Sequence, residues 1–410
     1  MTILRIIFVF IFLAIGQSGR TLTLTEALAE AASSPAFLES RLGIDQTAAA
    51  GEDAGKRGPD AISFEAENVG GRLPGFSQAD LTLSFKRPII NRRKATAEKR
   101  LAALAVDNAK LDAAALARDI KTRVQAAFHV VIGLQNLCRN AQEISRINQE
   151  MLEATKSRVD AGAGPEAELV KAQLDSDRVE VERINLEGQL TEAMLSLFRE
   201  MGKQPDLQIE AVGTLSADLE LPDIDELRRN LIEMHPQLLS SGLSAQENRT
   251  RLELLKAENR PAYSWVAGAR DFRETGNHAY VFAVEAELPN RSGNRGARKA
   301  AQTELDKIAA GREKVQRELM AGLEEQVKRF QRTRDTVHRL KNQISPNAQK
   351  ALEMALDGYR LGKTDQIVVL EARKAYAEVT KQMLAALLEM YQAVDAIEEL
   401  TGVCLVGERH

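Results

Sequence analysis

Four carboxylates in this 410-residue chain sit in patterns that could do electrostatic work. In the stretch from Asp60 to Glu67, Ile62, Phe64 and Ala66 alternate with Ser63, Glu65 and Glu67. In YVFAVEAELP, Tyr280, Phe282, Val284, Ala286 and Leu288 share one register, and Glu285 and Glu287 fall in the other. Strict alternation puts apolar groups on one face of a strand and carboxylates on the opposite face. Acids aligned along a water-facing strand concentrate cations without binding them tightly. Catalytic patterns are missing by comparison. The histidines, His129, His235, His278, His338 and His410, are far apart, and none has the i, i+3 or i+4 spacing that would aim two ligands from one helix face. Gly70-Gly71 lies between two strands, and Gly162 and Gly164 lie between helices, so neither forms a phosphate loop after a strand. The only cysteines, Cys138 and Cys404, are in distant segments and form no disulfide framework or zinc set. No catalytic residue, metal site or cofactor is expected, and the chain reads as a non-enzyme.

The elements that must hold these acids are mostly helical. Aromatics are only 4% of residues, and Ala, Leu, Glu, Lys, Arg and Gln dominate the middle of each half, as in long helices packed in narrow layers. A formal net charge of -4 gives no reason to expect nucleic acid. Arg5 precedes an apolar run from Ile6 to Ile15, too short to span a bilayer, which needs about 20 residues, but suited to a secretory signal. Residues 1–19 are therefore expected to be a signal peptide.

The remainder is written twice, at an offset of about 200. SRVDAGAGPEAELVKAQLD from Ser157 aligns with GYRLGKTDQIVVLEARKA from Gly358, so that Gly162 meets Gly362. Pro35 falls on Pro236 and Pro88 on Pro289. Residues 20–212 and 213–410 are the two repeats. The first is expected to hold strands near 61–68 and 80–88 and long helices near 89–133 and 138–201. The second is expected to hold strands near 262–272 and 279–289 and long helices near 290–337 and 342–402. Leu116, Ile120, Val124, Ala127, Val131 and Leu134 step by three or four, as do Leu305, Ile308, Val315, Leu319, Leu323, Val327 and Phe330, giving coiled-coil seams. Gly162, Gly164 and Pro165 interrupt one coiled coil and Gly362 the other, as chain reversals or bulges. Roughly nine-residue strands suit a tilted crossing of an outer membrane, but four strands leave open edges that lipid does not tolerate. The strands must therefore close with those of other chains.

The duplicated strand-strand-helix halves, with the paired breaks RVDAGAGPEAEL and YRLGKTDQIVVLEA, resemble the TolC-like outer-membrane efflux proteins. EAENVGGRLPGFSQADLTLSF further resembles the CzcC-like heavy-metal branch, although PIINRRKA departs from that branch's usual continuation. The resemblance implies a homotrimer whose twelve-stranded β-barrel, four strands per chain, sits on a long periplasmic α-helical tunnel. It implies an outer-membrane exit duct in a Gram-negative bacterium, fed by a periplasmic adaptor and an inner-membrane pump of the RND type. The cargo would be heavy-metal cations, or drugs and other small molecules or a secreted substrate in other ducts of the same fold. In such a barrel the apolar strand faces meet lipid, and Glu65, Glu67, Glu285 and Glu287 line the lumen. The resemblance also places helix-hairpin tips near Gly133 to Arg139 and Arg334 to Ser345. Gln135, Asn136, Arg139, Arg332, Arg334, His338, Arg339 and Lys341 then become candidates for a periplasmic gate, and the glycine breaks fall in a band around the middle of the tunnel. A periplasmic adaptor also carries a signal peptide and a coiled-coil hairpin, but would not repeat the whole chain.

Overall fold

A computed structural model describes residues 20–69, 75–162, 164–289 and 294–405. The expected signal peptide and the Gly70-Gly71 segment lie outside the described residues. Each half begins with two short helices. The first has α1 (Leu24–Ala31) and α2 (Pro35–Gly51), and the second has α5 (Ile224–Met234) and α6 (Pro236–Glu258). Thr23 starts α1 with a capping box, its hydroxyl accepting from the Glu26 N–H while the Glu26 carboxylate accepts from the Thr23 N–H. Pro35 and Pro236 each open the following helix, where a missing N–H costs nothing.

Two antiparallel hairpins then form one sheet. β2 (Ala61–Glu67) pairs with β3 (Asp80–Pro88), β3 with β5 (Ala262–Phe272), and β5 with β6 (Asn277–Glu287). The outer edges of β2 and β6 have no strand partner among the described residues. A separate two-residue parallel pair, β1 (Thr21–Leu22) with β4 (Glu210–Ala211), ties the start of the chain to the link between halves.

The helices after the hairpins correct the expected boundaries. In place of helices 89–133 and 138–201, α3 (Arg92–Asp160) runs unbroken through 133–139 and α4 (Glu166–Glu200) returns. At 1.5 Å per residue the 69 residues of α3 span about 104 Å. Its seam continues past Leu134 through Ala141, Ile144, Asn148, Met151 and Thr155, all buried, so nothing in the pattern calls for a turn. Gly133 serves close packing instead: a Cβ there would lie 2.6 Å from Leu384 Cδ1. In the second half α7 (Arg295–Arg339), one π-helical turn (Leu340–Ile344) and α8 (Ser345–Arg360) make one continuous rod, and α9 (Gln366–Thr401) returns. The π turn sits directly ahead of Pro346, whose ring and missing N–H do not fit a regular α-helical ladder. No helix of the described residues is long and apolar enough to cross a membrane.

Two equivalent cores lie where the short helices meet the long ones. Ala27 and Ala31 of α1 bury against Val124, Phe128 and Val131 of α3 and Leu197 and Phe198 of α4. Leu227 and Leu231 of α5 bury against Leu323, Val327 and Phe330 of α7 and Met390, Val394 and Ile397 of α9. Gly202 and Gly402, 200 residues apart, end α4 and α9 with positive φ of 67° and 72°.

Candidate functional site

The sheet carries the first functional surface. Strand register puts Ile62, Phe64, Leu83, Phe85, Trp265, Tyr280, Phe282 and Val284 on one face. That face is bare: Tyr280 is 84% exposed, Phe282 81% and Ile62 75%. Large apolar groups this exposed across a whole sheet face need a partner or lipid. Glu65, Glu67, Glu285 and Glu287 all fall on the opposite face. The same register adds three charges that alternation within single strands did not weigh. Asp80 stands opposite Glu67, Arg270 pairs with Glu67 at 3.2 Å, and Lys86 pairs with Glu285 at 2.5 Å. Two of the four expected acids are thus neutralised locally. Across this face of the strands, five carboxylates oppose two cations, leaving three negative charges per chain.

The second surface is the pair of helix-hairpin tips. These are the glycine breaks, not the positions expected near 133–139 and 334–345. Gly162 and Gly362 adopt φ of 72° and 69°, which glycine reaches without strain. At the second tip the Gly362 N–H donates to the Tyr359 carbonyl at 3.0 Å and the Lys363 N–H to the Gly358 carbonyl at 2.8 Å, a Schellman reversal. Gly358 has no room for a side chain, because a Cβ would meet Thr364 Oγ1 at 2.7 Å. Pro165 and Asp365 then occupy the N-cap positions of the return helices. Leu361, Ile367, Val368 and Met354 leave an apolar surface exposed around the second tip.

Just behind the tips the two hairpins lock together. Tyr359 is buried with Met151, Ala355 and Val369, and its hydroxyl shares a 2.8 Å hydrogen bond with Thr155 of α3. The Arg158 guanidinium stacks 5.6 Å from the Tyr359 ring centre. One layer further from the tips, buried Arg373 of α9 donates to Asn148 Oδ1, and Asn148 Nδ2 donates to the Asp175 carbonyl at 3.5 Å. Burial pulls the Arg373 guanidinium below its usual range, opposed by the charges of Asp175 and Glu182. Asn148 and Thr155 are polar residues at seam positions of a coiled coil, and that is the sequence signal that could have located this end.

The residues expected at a gate lie elsewhere. From Arg139 to Asp160, and from Arg339 to Arg360, about 32 Å of helix separates them from the tips. Three of the eight, Gln135, Arg139 and Lys341, brace the long helices to the link between the halves. The Gln135 amide, turned to match its neighbours, donates to the Ala211 carbonyl and accepts from the Ala211 N–H. Arg139 reaches Glu210 at 3.0 Å, Lys341 reaches Asp218 at 2.9 Å, and Arg332 reaches Glu389 at 2.7 Å. The Lys341 hydrogen bond holds the Asp218 carboxyl below its usual value. Arg334 lies over the Phe330 ring, and His338 Nδ1 meets Asn342 Nδ2 at 3.1 Å. Asn136 and Arg339 are exposed.

Between α3 and α9, His129 Nδ1 lies 3.3 Å from Asp395 Oδ2, both buried, with the Tyr391 ring 4.5 Å from the imidazole. Burial raises the Asp395 carboxyl, opposed by the hydrogen bond and charge of His129. No group of three His, Cys, Asp or Glu side chains among the described residues is placed to hold a metal ion. Cys138 and Cys404 are both free thiols.

The model of the family described as outer membrane efflux protein matches residues 40–203 and 227–403. The cobalt-zinc-cadmium resistance protein CzcC of Cupriavidus metallidurans is 24% identical over 288 residues, covering 69% of this chain and 68% of that protein. The outer membrane protein VceC of Vibrio cholerae superposes with a TM-score of 0.72 at 17% identity, over 92% of this chain and 96% of its own. CusC superposes with a TM-score of 0.76 at 12% identity, over 92% and 91%. These structures share the fold.

Proposed function

The chain belongs to the outer membrane efflux protein family, and from that premise we propose that three copies form one exit duct, a twelve-stranded barrel continued by a helical tunnel. As a member of that family it is an outer-membrane efflux protein and not an enzyme. The observation that carries the assembly is the four-stranded sheet, bare on its apolar face and, among the described residues, open at both edges. Lipid satisfies the face, and only neighbouring strands satisfy the edges. The helices make the same demand. Val170, Leu174, Val181, Ile184 and Leu195 of α4 are exposed and step by 4, 7, 3 and 11 residues, close to multiples of the 3.5-residue coiled-coil period. A neighbouring subunit's helix would cover that seam.

In this reading the sheet's polar face lines the lumen and the helices run into the periplasm. The Gly162 and Gly362 tips meet a periplasmic adaptor, which couples the duct to an inner-membrane pump of the RND type. The exposed apolar groups around Leu361 and Ile367 suit such docking. The Thr155–Tyr359 lock takes the gating role expected of the arginines and lysines higher up. The cargo is heavy-metal cations. The excess of carboxylates on the polar face and the likeness to a cobalt-zinc-cadmium resistance protein support this cargo. Deleting the gene and growing the strain in graded cobalt, zinc and cadmium tests it: metal tolerance falls and drug tolerance holds. The opposite pattern assigns the duct to drugs.

A further inference from the structure

At the helix-side rim of the sheet is a cleft of about 650 Å³ that the duct reading does not use. The segment after α2 supplies Gly55 and Arg57, the end of β3 supplies Arg87 and Pro88, and Ile89 and Ile90 follow. The first turns of α3 supply Arg92 and Lys99, and Trp265 of β5 forms a wall. Four cations line the cleft and no carboxylate does. Among the described residues their ion pairs are with Asp60, which bonds Arg87 at 2.8 Å and Arg57 at 3.4 Å. Arg92 and Lys99 have no ion-pair partner among the described residues, so the cleft holds uncompensated positive charge.

Its apolar half points to the bare side of the sheet. Arg87 stands opposite Trp265 in the register, on the apolar face, with its guanidinium 5.1 Å from the Phe85 ring centre and 5.7 Å from that of Trp265. Trp265 is 38% exposed, Ile89 52% and Ile90 50%. β3 and β5 are the inner strands of the sheet, so neighbours joining at β2 and β6 leave their outer face uncovered. Cations that match phosphate, directly beneath a strand face that meets acyl chains, with a tryptophan at the boundary, have the chemistry of a lipid-headgroup site.

We propose that this cleft binds the phosphate headgroup of an anionic phospholipid of the periplasmic leaflet, with its acyl chains lying up the apolar face beside Phe85 and Phe282. The proposal rests on the sheet being a membrane-spanning barrel with its helices on the periplasmic side. Free phosphate could neutralise the arginines but would leave Trp265, Ile89 and Ile90 bare.

Trp265 is the only tryptophan in the chain, so its fluorescence reports this cleft alone. The full chain, purified in neutral detergent, is titrated with brominated phosphatidylglycerol and, separately, brominated phosphatidylcholine. Phosphatidylglycerol is expected to quench Trp265 at about fivefold lower mole fraction or less, since a single cation at an anionic surface contributes roughly that factor. In the variant combining Arg57→Gln, Arg92→Gln and Lys99→Gln the two lipids quench alike, whereas Arg57→Lys with Arg92→Lys keeps the preference. Equal quenching of the wild-type protein by both lipids overturns the headgroup site and leaves the barrel standing. Quenching by neither lipid overturns both. Loss of the preference in millimolar inorganic phosphate, but not in chloride of equal ionic strength, assigns the cleft to free phosphate and also overturns the proposal. The wild-type comparison decides the matter even if the triple variant does not fold.

Discussion

Replacing Glu65, Glu67, Glu285 and Glu287 with glutamine should do more than weaken cation preference: it should reverse it. The polar face carries five carboxylates with Lys86 and Arg270, an excess of three negative charges per chain. Removing four leaves Asp80 against the two cations, an excess of one positive charge. In a barrel shared by three chains the lining would change from about nine negative charges to about three positive ones. Twelve strands at 4.8 Å spacing and a tilt near 40° close at a radius of roughly 12 Å, which puts side-chain charges roughly 10 Å from the axis. At 0.1 M salt the Debye length is also about 10 Å, so each charge changes the local ion concentration by a factor of about 1.3. Nine such charges enrich cations about tenfold, and three positive charges enrich anions about twofold. Bilayer recordings under a tenfold KCl gradient read this as a reversal potential. The wild type approaches the cation limit of about 59 mV, and the quadruple variant crosses zero to the anion side. Lys86→Gln with Arg270→Gln moves selectivity the other way. In 1 M salt, where the Debye length is about 3 Å, all variants converge. A quadruple variant that stays cation-selective would refute the assignment of this face as the selective lining.

The helix ends, the lock and the seam between repeats allow further tests. Gly362→Ala should cost about 1 kcal/mol, because alanine resists a φ of 69°, and Gly358→Ala should cost about 1–3 kcal/mol, because its Cβ meets Thr364. Hydrogen exchange should show both losses confined to the second tip. Tyr359→Phe removes the bond to Thr155, which keeps its bond to the Met151 carbonyl at 2.8 Å, so the lock should weaken by about 1 kcal/mol and single-channel open time should lengthen. Neutralising Arg332, Arg334, Arg339 and Lys341 together should leave open time unchanged, since about 28 Å or more of helix separates these residues from the Gly362 tip. Burial raises the Asp395 carboxyl, so Asp395 favours the folded state below the ordinary carboxylate range. That contribution is lost as pH rises through its elevated value. Denaturant titrations of Asp395→Asn, which can still accept from His129, should be flatter with pH across that window.

How much of this was legible in the sequence depended on whether the signal was local. Alternation in Ile62 to Glu67 and Tyr280 to Glu287 located the edge strands, because the side-chain period of a strand is read within single stretches. The repeat aligned Gly162 with Gly362, and both proved to be chain reversals. The resemblance sets the tips too early in each half, because the apolar seam of α3 does not stop at Leu134. Gly133 lies mid-helix, where a Cβ would meet Leu384 of α9, a tertiary contact that no local pattern reveals. Pro346 does not end the second rod either, because a π turn just ahead of it absorbs the missing N–H. The ion pairs of Glu67 and Glu285 depend on tertiary register instead. Arg270 and Lys86 are brought there by pairing between strands that lie nearly 200 residues apart in the chain, and register across such distances is not a local property.

The bare sheet face, the open strand edges and the exposed seam of α4 all depend on assembly, and the mass of the detergent-solubilised particle tests it most directly. Light scattering on protein extracted from the outer-membrane fraction should give three chains of 45.1 kDa, less any cleaved leader, in a particle that resists dissociation by mild heating. A monomer or dimer, or protein recovered without detergent from the periplasm, would contradict a shared twelve-stranded barrel.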